Sequence, residues 1–192
     1  LYKFIEAFAS AGNSSLFISG EEHPESSLAV EKRDKYLSQE AKRNTAIVGE
    51  VDSIEQLYQY VKPYDIIFID SWQKLQRMVG AIRLDEDLRK KFNGKVFVVI
   101  FQQTTTGRTK GGAEVVFDGD IIIKMVKEAS FADNYAYFDK NRYTRIPIEN
   151  IRYNIASGEV YNPNEPEQPE QPEEQITETA RLVTSSGFAF QT

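Results

Sequence analysis

The nine residues Tyr64–Trp72, Tyr-Asp-Ile-Ile-Phe-Ile-Asp-Ser-Trp, constrain this chain more than any other stretch. Four consecutive apolar residues, Ile66 to Ile69, leave no polar face, so the segment suits a strand buried on both sides of a parallel sheet. It ends on Asp70 and the hydroxyl of Ser71. In an open α/β sheet the carboxyl ends of the strands border the ligand crevice. A carboxylate fixed there can hold a magnesium ion, directly or through water, beside nucleotide phosphates. The plainer alternative is a buried strand that ends at a solvated acid, a common pattern.

The flanking segments supply the rest of such a fold. Leu1, Phe4, Ile5 and Phe8 lie at i, i+3, i+4 and i+7, one helical face. The chain thus opens on Leu1 within a helix, with no cap before it, and a preceding segment is expected. A short strand at Ser15–Ser19 runs into the turn Gly20-Glu21-Glu22-His23-Pro24. Ser26–Lys42 predicts one polar helix and Asn44–Glu50 a strand. Asp52-Ser53 caps a helix whose face is Ile54, Leu57, Tyr58 and Val61, which stops at Pro63. Helical periodicity returns at Gln73–Val79 and at Leu84–Phe92. Lys95–Phe101 is the most apolar strand and is therefore expected at the centre of the sheet. A polar, basic, glycine-bearing loop, Gln102–Gly112, follows. Strands are expected at Asp120–Val126, Tyr135–Asp139 and Ile151–Tyr153. The order predicts an α/β fold, a mostly parallel sheet flanked by helices, with antiparallel strands toward the C-terminus.

Composition narrows the function classes. At 192 residues the chain can bury a full core, and 41% hydrophobic and 27% charged residues are ordinary for a globular protein. No apolar run approaches a membrane span. Zero cysteines exclude disulfides and thiolate metal sites and fit a reducing, cytoplasmic setting; a single His, His23, disfavours a zinc site. The net charge of −6 is concentrated: six acids and one base fall after Asn162, leaving 22 basic against 23 acidic residues before it. A nucleic-acid partner is therefore compatible with the charge balance. Asn162–Gln175 is a Pro/Glu/Gln run that reads as a disordered linker, followed by a tail, Ile176–Thr192, beyond a core at 1–161.

Chemistry-bearing side chains gather at the predicted strand ends. Glu21 and Glu22 follow the first strand, Asp70 the central one, Gln102 and Gln103 the most apolar one. Lys140 and Arg142 follow Tyr135–Asp139. Phosphoryl transfer needs this mixture: an acid to position or deprotonate water, an acid for the metal, an amide near the terminal phosphate, and bases to offset developing charge.

Leu16-Phe17-Ile18-Ser19-Gly20-Glu21-Glu22, Ile66–Ser71 and Lys140-Asn141-Arg142-Tyr143 together resemble the RecA-fold P-loop ATPases. The likeness is greatest to the RadA/Sms DNA-repair branch, with relatives among the KaiC and replicative-helicase groups. It spans roughly Leu1 to Tyr153. The resemblance implies ATP and Mg2+ as cofactors and Ile66–Ser71 as the Walker B strand. Glu21 would be the base acting on water, Glu22 its auxiliary, and Asp70 the magnesium-associated acid, with Ser71 beside it at the nucleotide. Gln103 would couple the nucleotide to a DNA-binding loop, Thr104–Gly112, in which Thr104, Thr105, Arg108 and Lys110 contact single-stranded DNA. Lys140 and Arg142 would reach the γ-phosphate held by a neighbouring subunit of a homo-oligomeric ring or filament. The sequence contains no Gly-x-x-x-x-Gly-Lys-[Ser/Thr]. In the family that motif precedes the first helix, so the resemblance implies a core shortened at its N-terminus and inactive as it stands. Zinc-binding cysteines and a protease-like C-terminal domain are also missing from the pattern, which favours a phage-type or helicase-like relative. The implied function is an ATP-dependent motor in DNA recombination, repair or replication. The alternatives are a non-hydrolysing RecA-fold loader or regulator and a KaiC-like signalling ATPase.

Overall fold

A computed structural model describes residues 1–102, 118–145, 147–148 and 150–164. These form two units, Leu1–Ile122 with Lys140–Tyr143, and Ile123–Asp139 with the described residues from Thr144 on.

The first unit is built on a parallel sheet of β1 (Ser15–Ser19), β2 (Thr45–Val48), β3 (Ile66–Asp70) and β4 (Val96–Val99), in the order β2-β1-β3-β4. The register places Ser19 opposite Asp70 and Ile69 opposite Val99. Alternation along the strands divides the core into two layers. Leu16, Ile18, Ile67 and Ile69 pack with Leu57, Val61, Trp72, Leu75 and Leu88 on one face. Phe17, Ile66 and Phe68 pack with Ile5, Ala9, Leu37 and Ala41 on the other. The uninterrupted apolar run of β3 is thus explained: each face is covered by helices.

Those helices are α1 (Tyr2–Ala9), α2 (Ser27–Tyr36), α3 (Gln39–Asn44), α4 (Ile54–Val61) and α5 (Trp72–Val79). The Ser53 hydroxyl caps α4 by accepting from Gln56 N–H at 3.2 Å, as the sequence suggests. Three expectations are corrected. The helix expected over Ser26–Lys42 is two helices, because Leu37 turns extended to reach the core and Ser38 starts α3 as its cap. The Ser38 N–H donates to Glu6 Oε2 at 2.7 Å, a tertiary contact that local pattern does not show. Leu84–Arg89 is a π-helical turn, in which Lys90 N–H donates to the Asp85 carbonyl at 2.8 Å. The strand expected to be central, β4, lies at the border of the described sheet, with Val96 46% exposed.

The second sheet runs β5 (Ile121–Val126), β6 (Tyr135–Asn141), β7 (Arg152–Asn154) and β8 (Val160–Tyr161). β6–β7 and β7–β8 pair antiparallel. Lys124 Nζ meets Asp139 Oδ1 at 2.7 Å, and Arg152 stacks over the Tyr135 ring at 4.4 Å. Most of the Pro/Glu linker and the whole tail, residues 165–192, lie outside the described residues. No helix among the described residues is long and apolar enough to cross a membrane.

Candidate functional site

The site begins with the parallel register of β1 and β3. Both strands end at the same level, and the chain after β1 folds back so that Gly20 and Glu21 N–H both donate to the Asp70 carbonyl, at 2.7 and 3.1 Å. Glycine is required there by contact. A Cβ at position 20 would lie 2.9 Å from Lys74 Cβ and 3.1 Å from Met78 Cε. Only a bare backbone lets the turn approach α5 this closely.

The backbone clamp puts the Glu21 side chain among groups from three elements. Its Oε1 accepts from Ser71 Oγ at 2.8 Å and from Gln102 Nε2 at 2.7 Å, while Oε2 lies 3.7 Å from Lys74 Nζ. Glu22 pairs with Lys32 at 3.1 Å, and its carbonyl accepts from Ser19 Oγ at 2.6 Å. Asp70, Ser71, Glu21 and Glu22 are therefore brought together as the sequence suggests. The sequence reading did not assign Lys74 or Lys32, and it named Gln102 only as a polar residue at a strand end, where its amide meets Glu21. The i+3 spacing of Lys74 from Ser71, at the start of a helix leaving β3, was the available signal.

Burial pushes the Asp70 carboxyl above the usual range, and the nearby charge of Glu21 pushes it further. A carboxyl whose pKa is raised by folding stabilises the protein when protonated, and that contribution is lost as pH rises through its folded pKa. Asp70→Asn is accordingly expected to melt higher than the native protein at pH 7. The gap should close as pH falls and Asp70 itself takes up a proton. Thermal melts across pH 3–7 check this; a variant that melts lower at pH 7 contradicts it.

The same electrostatics fit a divalent cation, whose charge would offset the crowding of Asp70 by Glu21 and Glu22. Among the described residues no group of three or more His, Cys, Asp or Glu could hold a metal ion by itself. Asp70 would then hold hydrated Mg2+ shared with a ligand's phosphates, the usual arrangement for this ion.

The remaining candidates are placed differently. Lys140 lies within β6, not after it, because the strand continues to Asn141. Arg142 is bound to Asp120 twice, by its backbone N–H to the carbonyl at 3.0 Å and by Nη1 to Oδ1 at 2.8 Å. Asp120 also meets Arg89 at 3.5 Å. Gln103, Thr104, Thr105, Arg108 and Lys110 lie outside the described residues.

The parallel sheet covered by helices on both faces, with acids at the ends of two adjacent strands, is an α/β fold shared with a solved KaiC-like structure. The chain is similar to a KaiC-like protein of the hyperthermophilic archaeon Pyrococcus horikoshii, at a TM-score of 0.57 and 18% identity, covering 83% of this chain and 80% of that one. It also matches the RadB recombinase at a TM-score of 0.47 and 14% identity, over 83% of each chain. No family profile matches the chain, and no curated protein matches it.

Proposed function

We propose that this chain carries the catalytic acids of a RecA-type ATPase that works as a homo-oligomer on single-stranded DNA, in recombination, repair or replication. The observation that carries the reading is the clamp of Gly20 and Glu21 N–H onto the Asp70 carbonyl, which sets two carboxylates side by side at the crevice end of a parallel sheet. In this reading Glu21 takes the proton of an attacking water, with Glu22 as its auxiliary. Asp70 and Ser71 face the nucleotide and its Mg2+. The metal, when bound, offsets charge on the phosphoryl oxygens. Gln103 links the site to the loop of Thr104, Thr105, Arg108 and Lys110, and Lys140 and Arg142 serve a neighbouring subunit's phosphate.

The test is Mg-ATP hydrolysis by the full-length protein with and without single-stranded DNA; stimulation by DNA is expected. No hydrolysis points to the non-hydrolysing loader or regulator, and hydrolysis indifferent to DNA to a KaiC-like signalling role.

The DNA contact has its own expected result. Residues 104–110 carry threonine hydroxyls and two cations but no aromatic ring, so phosphate contacts should dominate over base stacking. Joint replacement of Arg108 and Lys110 by Ala should weaken single-stranded DNA binding and flatten its salt slope by about one to two units. DNA-free hydrolysis should stay as it is. An unchanged slope and affinity in fluorescence anisotropy titrations removes DNA from this loop.

A further inference from the structure

Glu21 is gripped by more donors than a solvated turn carboxylate needs. Two of them, Ser71 Oγ and Gln102 Nε2, converge on one oxygen, Oε1, from the ends of β3 and β4. Gln102 is itself anchored, since its backbone N–H donates to Gln73 Oε1 at 3.1 Å. One residue earlier on α5, Trp72 N–H donates to the Ile100 carbonyl at 2.9 Å. The start of α5 and the end of β4 are thereby tied together, and the Gln102 amide is carried to Glu21 on that joint. Among the described residues, Oε2 is left with Lys74 alone, at 3.7 Å.

We infer that Gln102 is a positioning residue for Glu21. With Ser71 it immobilises the carboxylate through Oε1, so that Oε2 is the oxygen that accepts the proton from water. This rests on the reading of Glu21 as the base. The two charge-assisted bonds to Oε1 fix both the rotamer and the plane of the carboxylate. A base held in place before substrate arrives avoids the rate lost to misplaced geometry. Lys74 stays near the accepting oxygen without a hydrogen bond to it, at a distance where its charge acts but its protons do not block the lone pair.

The experiment uses five variants of the full-length protein and two readouts. In Gln102→Ala, kcat for Mg-ATP should fall roughly 10- to 100-fold with KM unchanged. Gln102→Glu has the same reach but cannot donate when ionised and repels Glu21, so it should fall at least as far. In a Glu21→Gln background, Gln102→Ala should cost little more, because the group it positions is already gone. The second readout is independent of turnover: the side-chain amide signals of Gln102, assigned by their loss in Gln102→Ala, should shift in NMR spectra of Glu21→Ala. Signals that do not move, a kcat that does not fall, or a full loss that persists in the Glu21→Gln background each overturn the inference. If the native protein hydrolyses no ATP, the ATPase reading fails and this inference fails with it. Native hydrolysis beside an unaffected Gln102→Ala overturns the inference alone.

Discussion

Glu21→Gln in the full-length protein is expected to leave nucleotide binding intact and to slow ATP turnover by ~10²–10⁴-fold, the scale of removing a general base. The substitution keeps the size of the side chain. It also keeps an oxygen that can accept from Ser71 and Gln102, which meet Glu21 Oε1 at 2.8 and 2.7 Å. What it removes is the ability to take a proton. The surroundings should therefore stay in place while the chemistry fails, so binding and turnover separate. Equilibrium binding of a labelled ATP analogue and steady-state phosphate release measure the two halves. Unchanged turnover excludes Glu21 as the base and moves attention to Glu22, which is 3.1 Å from Lys32. A loss of binding equal to the loss of turnover would instead make Glu21 a structural support for the site.

The largest effect on stability is expected at Phe68. Its ring is fully buried at the centre of β3, between β1 and β4 in the sheet, in the core layer lined by Ile5, Ala9 and Ala41. It meets the Phe8 ring at 6.3 Å between centroids. Phe68→Ala removes the burial of a large apolar side chain and leaves a cavity that a strand hydrogen-bonded on both sides cannot close. Such losses are about 3–5 kcal/mol, comparable to a large part of the stability of an ordinary domain. Val96→Ala, on the half-exposed end of β4, serves as the control and should cost well under about 1.5 kcal/mol. Urea unfolding of both variants checks the contrast. Similar midpoints for the two would mean that the β3 layer can relax around the hole.

The contrast between β3 and β4 also marks what could be read from the sequence. Apolar runs ending in acids identified β1 and β3 and the level at which Glu21, Asp70 and Ser71 meet. That information is local, since strand periodicity and strand ends are written in consecutive residues. Position within the sheet is not local. β4 is as apolar as β3, yet in the described sheet it has a neighbour on one side only. The break between α2 and α3 was likewise invisible because it depends on Leu37 entering the core and on Glu6, 32 residues away, accepting from Ser38 N–H. Gln102 and Gln103 are adjacent amides with equal chemistry. That Gln102 reaches Glu21 depends on how β4 ends against α5, through Trp72 N–H and the Ile100 carbonyl. The strand ends of the site and the residues at them were legible, and the hydrogen bonds that join those residues were not.

The two backbone bonds from Gly20 and Glu21 to the Asp70 carbonyl have a consequence for how the acids can be compared by mutation. The backbones that carry the two carboxylates are joined by main-chain atoms, so neutralising either side chain leaves the other residue's backbone on the same scaffold. Double-mutant cycles fail as measures of interaction when one substitution displaces its partner. Here a coupling between the isosteric substitutions Glu21→Gln and Asp70→Asn will report chiefly the charge each carboxylate presents to the other, because the backbone clamp stays in place.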